Sequence, residues 1–197
     1  FDRATPAGDI VLTRLPRLLQ ALGLPPMTPP MATLTQRLAN PTRFMDLSRR
    51  LLPWLWLAAA GLILAGLVLG FRAPEDYQQG HTVKILFVHV PCAWLATMIY
   101  GLIAVSSAGL LIFRHPLAEV AAKAAAPIGA AFTFLALLTG ALWGKPMWGT
   151  YWVWDARLTS VLLLFFLYLG LIALRSSIED EALAGKQTAI LAIVGVL

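Results

Sequence analysis

The chain after residue 52 alternates between long apolar blocks and short polar connectors. Five such blocks lie at about residues 53–71, 85–113, 124–142, 158–174 and 187–197, and none of them contains Asp, Glu, Lys or Arg. An apolar α-helix of about 20 residues covers the roughly 30 Å hydrocarbon thickness of a bilayer. The pattern therefore predicts an all-α, polytopic membrane helical bundle with about five spans present, the fifth of them truncated.

The two ends of the chain differ from this pattern. Residues 1–30 are rich in proline and lack a continuous apolar stretch, so they are predicted to be a poorly ordered extension rather than a signal peptide. Residues 31–197 are interpreted as one transmembrane domain, in which residues 31–52 form an amphipathic lead-in and Met31 is the candidate native start. Because the chain stops inside an apolar run, we interpret it as a piece of a longer protein.

Composition strengthens the membrane interpretation. Hydrophobic residues make up 59% of the chain and charged residues only 13%, whereas soluble domains average near one half and one quarter. The net charge of +5 is small, and the arginines before the first apolar block lack the interleaved aromatic residues of a nucleic-acid site. Cys92 is the only cysteine, which excludes an intramolecular disulfide and a Cys-x-x-Cys redox pair.

Lysine and arginine counts beside the spans predict the orientation, because cytoplasmic flanks carry the excess of these residues. With a cytoplasmic N-terminus, the inner flanks hold eight of them and the outer connectors hold four, Arg72, Lys84, Lys145 and Arg157. The connector 72–84 and the loop between the third and fourth spans are then both external.

That loop, from Trp143 to Arg157, concentrates aromatic residues. It holds four of the seven tryptophans of the chain. If residues 148–155 are helical, four side chains fall on one face and form a flat aromatic platform with a carboxylate at its edge, namely Trp148, Tyr151, Trp152 and Asp155.

Two interpretations of the loop compete on residues alone. Tryptophans at a membrane boundary most often form an anchoring belt. A belt, however, is scattered over several helices and does not require Lys145, Asp155 and Arg157 among the rings. Indoles with a guanidinium suit a flat, amphipathic ligand that carries anionic groups. A porphyrin, a quinone and a flat lipid all meet that description.

A resemblance narrows the choice. The segment WGKPMWGTYWVWDARLTS resembles the WWD signature of the heme-handling proteins of cytochrome c maturation, and most of all the CcmC type, heme exporter protein C. The flanking segments agree with it, namely FRAPEDYQQG, FVHVP from Phe87 to Pro91, and APIGAAFTFLALLTGALWGKPMWG. The likeness covers about residues 45–197.

The resemblance implies that heme b is held without a covalent bond at the external face. His89 matches the family's first axial iron ligand, and the second ligand would lie in a later external loop, after Leu197. An ionisable residue inside a span is a functional candidate on physical grounds too. His81 is interpreted as a solvated residue and His115 as a plain turn residue. The loop residues expected to bind heme are Trp143, Trp148, Tyr151, Trp152, Trp154, Asp155 and Arg157.

The resemblance also implies partners and a location. The expected recipient of heme is a CcmE-type periplasmic chaperone, and the expected neighbours are a CcmA-type ATPase, a CcmB-type membrane subunit and a small CcmD-type helix. The family resides in the bacterial inner membrane with the WWD loop in the periplasm, and it binds and transfers heme rather than acting as an enzyme. Two alternatives stay open: a WWD-type cytochrome c synthetase that attaches heme, and a membrane scaffold whose tryptophans only anchor it.

Overall fold

The structure, a computed structural model, describes residues 41–196, without the side chain of Pro41. The described chain belongs to two units that divide between Arg49 and Arg50. Within the described part there is no β-strand beyond an isolated bridge between Asp76 and Gly80, which confirms the predicted all-α class. The helices are α1 (Pro41–Arg72), α2 (Val83–Phe113), α3 (Pro116–Trp148), α4 (Ala156–Ser176) and α5 (Glu181–Val194). The predicted extension 1–30 lies outside the described residues.

Four of these helices are long and apolar enough to cross a membrane, namely α1 to α4. They correspond to the first four predicted spans, and the structure thereby confirms a polytopic helical membrane protein. Residues 187–194 of the fifth predicted span lie in α5, which begins earlier, at Glu181, and has 14 residues. Asp180 caps its start by accepting hydrogen bonds from the backbone N–H groups of Ala182 and Leu183.

Two helix boundaries differ from the prediction. The lead-in is helical from Pro41 onward and runs without interruption into the first span, although Pro53 lies inside α1. Membrane-spanning helices tolerate such prolines better than soluble ones do. The polar connector predicted between the second and third spans, residues 114–123, is reduced to Arg114 and His115. Pro116 already begins α3, at a position where its missing N–H costs no hydrogen bond.

The core lies among α2, α3, α4 and α5. Tyr168 of α4 is completely buried, and its hydroxyl donates to the backbone oxygen of Ala96 at 2.7 Å. Its ring meets Tyr100 edge to face, with 5.4 Å between the centroids. Small residues of α3, including Gly129 and Ala130, lie beside the ring. Such residues allow the close helix packing on which association in lipid depends.

Helix α1 behaves differently, since nearly all of its apolar side chains are exposed within the described chain. Trp54, for example, is 71% exposed. At its C-terminal end α1 meets α2, where Gly70 packs against Phe87 and the Lys84 ammonium donates to the backbone oxygen of Phe71 at 3.0 Å. The exposed surface of α1 is that of a span whose side chains face lipid or another protein.

The two connectors that carry the candidate chemistry lie at the same end of the bundle. The indole N–H of Trp143 donates to the side-chain oxygen of Gln79 at 2.9 Å. The hydroxyl of Thr82 lies 3.8 Å from the sulfur of Met147. This confirms that residues 73–82 and the Trp143–Arg157 segment share one face, here called the tryptophan end. Which side of the membrane this end occupies stays a prediction.

Candidate functional site

The Trp143–Arg157 segment begins in the last turns of α3 and ends in the first turn of α4, and only residues 149–155 between them lie outside a helix. Helix α3 ends at Trp148, and Gly149 follows in the left-handed region with φ 75°, its N–H donating to the backbone oxygen of Lys145. Glycine adopts this conformation without strain, and it is a common way to end a helix. Residues 149–155 are therefore irregular, and the predicted helical register over 148–155 is wrong.

The aromatic rings form two perpendicular pairs rather than the predicted flat platform. Trp143 and Trp148 lie edge to face at 5.2 Å and 86°, and Trp152 and Trp154 do so at 5.5 Å and 76°. This is the arrangement that the charge distribution of aromatic rings favours over flat stacking. Each pair offers one ring face on which a planar ligand could stack, and the second ring lies perpendicular beside it.

The four indoles differ in how much of each is covered. Trp154 is 78% exposed and Trp148 is 41% exposed, so both rings are accessible from outside. Trp143 and Trp152 are partly buried. The indole N–H of Trp152 is a buried donor without a hydrogen-bond partner in the described chain. A buried donor left unpaired costs about 1–3 kcal/mol, so an acceptor beside this atom would stabilise the loop.

The cations of the loop lie beside the rings. The Arg157 guanidinium is 5.5 Å from the centroid of Trp148 and 3.2 Å from the Asp155 carboxylate. The Lys145 ammonium is 5.2 Å from the centroid of Tyr151 and donates to the backbone oxygen of Gly149. The Arg157 side chain is 71% exposed, and an ion pair this exposed contributes little to stability. Both cations are therefore available to an anionic group at the edge of the rings.

Asp155 determines where the loop ends. Its carboxylate accepts the backbone N–H of Leu158 at 2.7 Å and so caps the first turn of α4. The same carboxylate holds Arg157 beside Trp148. These contacts favour a role for Asp155 in orienting the loop over a role in proton transfer.

His89 lies in α2, where it faces α3. Its Nδ1 is 3.0 Å from the backbone oxygen of Ala136 and 3.1 Å from the hydroxyl of Thr139. The Thr139 hydroxyl itself donates to the backbone oxygen of Leu135 at 2.6 Å. The backbone oxygen of Ala136 and the hydroxyl oxygen of Thr139 therefore both accept from the imidazole. In the neutral ring this places the proton on Nδ1 and leaves the lone pair on Nε2.

The other ring nitrogen of His89, Nε2, is not fully buried. It has no hydrogen-bond partner within residues 41–196. An imidazole whose other nitrogen donates to a main-chain oxygen is the usual form of a histidine metal ligand. Thr139 lies four residues before Trp143 on α3, which corresponds to about 6 Å along the helix. The imidazole therefore lies one to two helical turns beneath the tryptophan loop.

The other two histidines have different surroundings. His81, at the tryptophan end, lies 2.7 Å from the Glu75 carboxylate, and its side chain is 73% exposed. His115 lies at the N-terminus of α3, away from the tryptophan end, as its interpretation as a turn residue requires. In the described chain no group of three His, Cys, Asp or Glu residues is placed to hold a bare metal ion.

Several residues of the site were not anticipated from the sequence. Thr139 orients His89, Gly140 makes room for it, and Gln79 ties the first connector to Trp143. A Cβ atom at Gly140 would lie 3.0 Å from Cε1 of His89. The spacing of four between Thr139 and Trp143 places both on one face of α3 and was a usable signal. For Gln79 the sequence holds no such signal.

These features define a class: a polytopic helical membrane protein with a tryptophan-rich loop above one oriented histidine. The sequence model of the family described as CcmC, heme exporter protein C, matches residues 34–197. This chain belongs to that family.

Curated relatives agree with the assignment. The chain is 61% identical over 160 residues to the heme exporter protein C of Bradyrhizobium diazoefficiens, covering 81% of this chain and 61% of that protein. It is 52% identical over 157 residues to that of Paracoccus denitrificans, covering 80% and 65%. It is 48% identical over 162 residues to that of Escherichia coli K12, covering 82% and 66%. The chain thus spans less than two thirds of the length of these relatives.

Proposed function

We propose that this chain binds heme b without a covalent bond at the tryptophan end and delivers it to a CcmE-type periplasmic chaperone during cytochrome c maturation. The observation that carries the proposal is His89, whose Nδ1 donates to main chain and Thr139 and whose Nε2 lone pair is free. Neutral imidazole is a common axial ligand of heme iron. The tryptophan loop one to two turns above it supplies the apolar surface that a porphyrin requires.

The groups around the loop match the remaining parts of heme. The indoles of Trp148 and Trp154 are accessible for stacking on the macrocycle. The Arg157 and Lys145 cations stand at the edge of the rings, where propionates would project. Trp143, Tyr151 and Asp155 are assigned to support these contacts.

The surroundings proposed for the chain follow from the family. We place it in the bacterial inner membrane with a cytoplasmic N-terminus and the tryptophan end in the periplasm. The proposed neighbours are a CcmA-type ATPase, a CcmB-type membrane subunit and a CcmD-type helix. In this arrangement the protein presents heme and catalyses no bond formation.

The loop variants Trp148→Ala, Trp152→Ala and Asp155→Ala are expected to reduce the heme transferred to the chaperone while membrane insertion stays normal. Loss of one aromatic contact costs about 0.5–1.5 kcal/mol, which corresponds to roughly 2- to 10-fold. The measurement is the heme content of the chaperone, co-expressed with the full-length complex, determined by its absorbance per mole of protein.

The matched control for the two indoles is Trp56→Ala in α1. Trp56 is 68% exposed and lies outside the tryptophan end. It should leave chaperone loading unchanged, although it removes an equal apolar surface from the membrane interface. Equal losses in the α1 and loop variants would favour the anchoring interpretation, and undiminished loading in all three loop variants would refute the proposal.

Thr139→Val is expected to weaken heme binding without abolishing it, because the backbone oxygen of Ala136 still accepts from His89 Nδ1. Loss of an outer-shell partner of a metal ligand typically costs about 10- to 100-fold in affinity, and the remaining acceptor places this variant near the lower limit. Thr139→Ser keeps the hydroxyl and should bind as the wild type does. Heme titration followed by absorbance measures both, and equal affinities of the valine and serine variants would contradict the assigned role of Thr139.

A further inference from the structure

A cavity of about 420 Å³ opens among α2, α3, α4 and α5 at the end of the bundle opposite the tryptophan loop. Its walls are apolar and include Ile103, Leu110, Ala126 and Leu171. Ligand pockets in proteins have volumes of about 300–1,000 Å³. The cavity is therefore large enough to take one acyl chain or another slender apolar group, and nothing in the heme-binding proposal makes use of it.

The rim of the cavity is charged. It carries two cations, Lys123 and Arg175, and three carboxylates, Glu119, Glu179 and Glu181. Arg175 lies 2.6 Å from Glu119, both of them largely covered, and Lys123 lies 3.4 Å from Glu181 in a more exposed pair. Glu179 is exposed and has no ion-pair partner in the described chain. The rim thus offers both signs of charge, with one carboxylate in excess.

The rim also lies at the level expected for lipid headgroups. Glu119 is in the first turn of α3 and Arg175 is in the last turn of α4, so both stand where membrane-spanning helices end. The apolar walls extend from there toward the middle of the spans. A ligand with a charged head and an apolar tail fits this order of polar rim and apolar interior.

The residues that line the cavity argue against heme as its occupant. They include no histidine, cysteine, methionine or tyrosine, so an iron porphyrin would find no axial ligand there. The excess carboxylate also disfavours anionic headgroups at close range. A headgroup that carries an ammonium beside its phosphate satisfies both signs of the rim.

We propose that this cavity binds a zwitterionic phospholipid with a primary ammonium, such as phosphatidylethanolamine, from the membrane leaflet at the end opposite the tryptophan loop. The apolar walls hold an acyl chain, Lys123 and Arg175 meet the phosphate, and Glu179 meets the ammonium. This site is distinct from the proposed heme site and does not depend on it.

The test is native mass spectrometry of the full-length protein released from nanodiscs of equal phosphatidylethanolamine and phosphatidylglycerol content. One retained phosphatidylethanolamine is expected per protein, at roughly two- to fivefold preference, since an ion pair at an exposed carboxylate such as Glu179 contributes at most about 1 kcal/mol. Glu179→Gln should reduce that preference, whereas Glu75→Gln, at the tryptophan end, should leave it unchanged.

A second variant fills the cavity. Ala122 lines it, so Ala122→Trp should expel the bound lipid, whereas Ala124→Trp, on an exposed neighbouring position outside the lining, should retain it. The wild-type helical content in circular dichroism identifies variants that have folded. Equal lipid retention in the two tryptophan variants, a preference for phosphatidylglycerol, or retention of lipid only as a nonspecific distribution would overturn the proposal.

Discussion

Under the proposed function, full-length wild type acquires heme absorbance in heme-replete cells, and His89→Ala is expected to lose it. The imidazole is held by Ala136 and Thr139 at Nδ1, so alanine removes the proposed iron ligand itself. The loss should exceed the roughly 10- to 100-fold that removal of an outer-shell partner costs. The measurement is the Soret band of the purified complex, normalised to protein.

His81→Ala provides the matched control at the same end of the bundle. His81 is exposed and paired with Glu75, and no apolar surface encloses it. This variant should keep the wild-type Soret band. Equal loss of the Soret band in both variants, or a normal band in His89→Ala, would show that His89 is not the heme ligand.

Tyr168→Ala is expected to be the most destabilising single change in the bundle. The ring is fully buried among α2, α3 and α4, and its hydroxyl donates to the backbone oxygen of Ala96. Truncation of a buried aromatic side chain typically costs about 3–5 kcal/mol, because the cavity collapses only in part. In a bilayer this loss is mainly one of packing, since lipid offers the helices little hydrophobic drive to associate. Unfolding of the detergent-solubilised protein by heat, followed by tryptophan fluorescence, measures the effect.

Tyr77→Ala separates this effect from the loss of any tyrosine. Tyr77 is 91% exposed in the first connector, and its removal should leave the unfolding temperature unchanged. Gly129→Ala tests the same contact from the other side, because a Cβ atom there would overlap the ring of Tyr168. Overpacking of this kind costs about 1–3 kcal/mol. Wild-type stability of both core variants would contradict the packing described for α3 and α4.

The helices were predictable from the sequence because a bilayer imposes a simple requirement. Uncharged runs such as 85–113 and 158–174 coincide closely with α2 and α4. Boundaries were wrong where charged or proline residues continue a helix beyond the apolar run, as at the start of α1 and in α3 before residue 124. Hydropathy indicates which residues can lie in the hydrocarbon region of the bilayer. A helix can extend beyond that region, so its ends need not coincide with those of the apolar run.

The sequence placed the candidate site residues at one end of the bundle but not their geometry, and their role in heme binding stays a prediction. His89 and the aromatic residues of the loop lie near one end of the bundle, as the resemblance implies. The flat platform failed because Gly149 takes a positive φ and stops the helix, so that the assumed spacing no longer applies. The orientation of His89 depends on Ala136 and Thr139, which are distant in sequence, and no local pattern reveals such a contact.

The loop between α3 and α4 is fixed at both ends, by the left-handed Gly149 and by the Asp155 cap. It comprises only residues 149–155, so of the four indoles Trp152 and Trp154 lie in the loop, whereas Trp143 and Trp148 belong to the last turns of α3. The latter two keep the position that the helix gives them. A partner that contacts Trp148 therefore has to approach the end of α3.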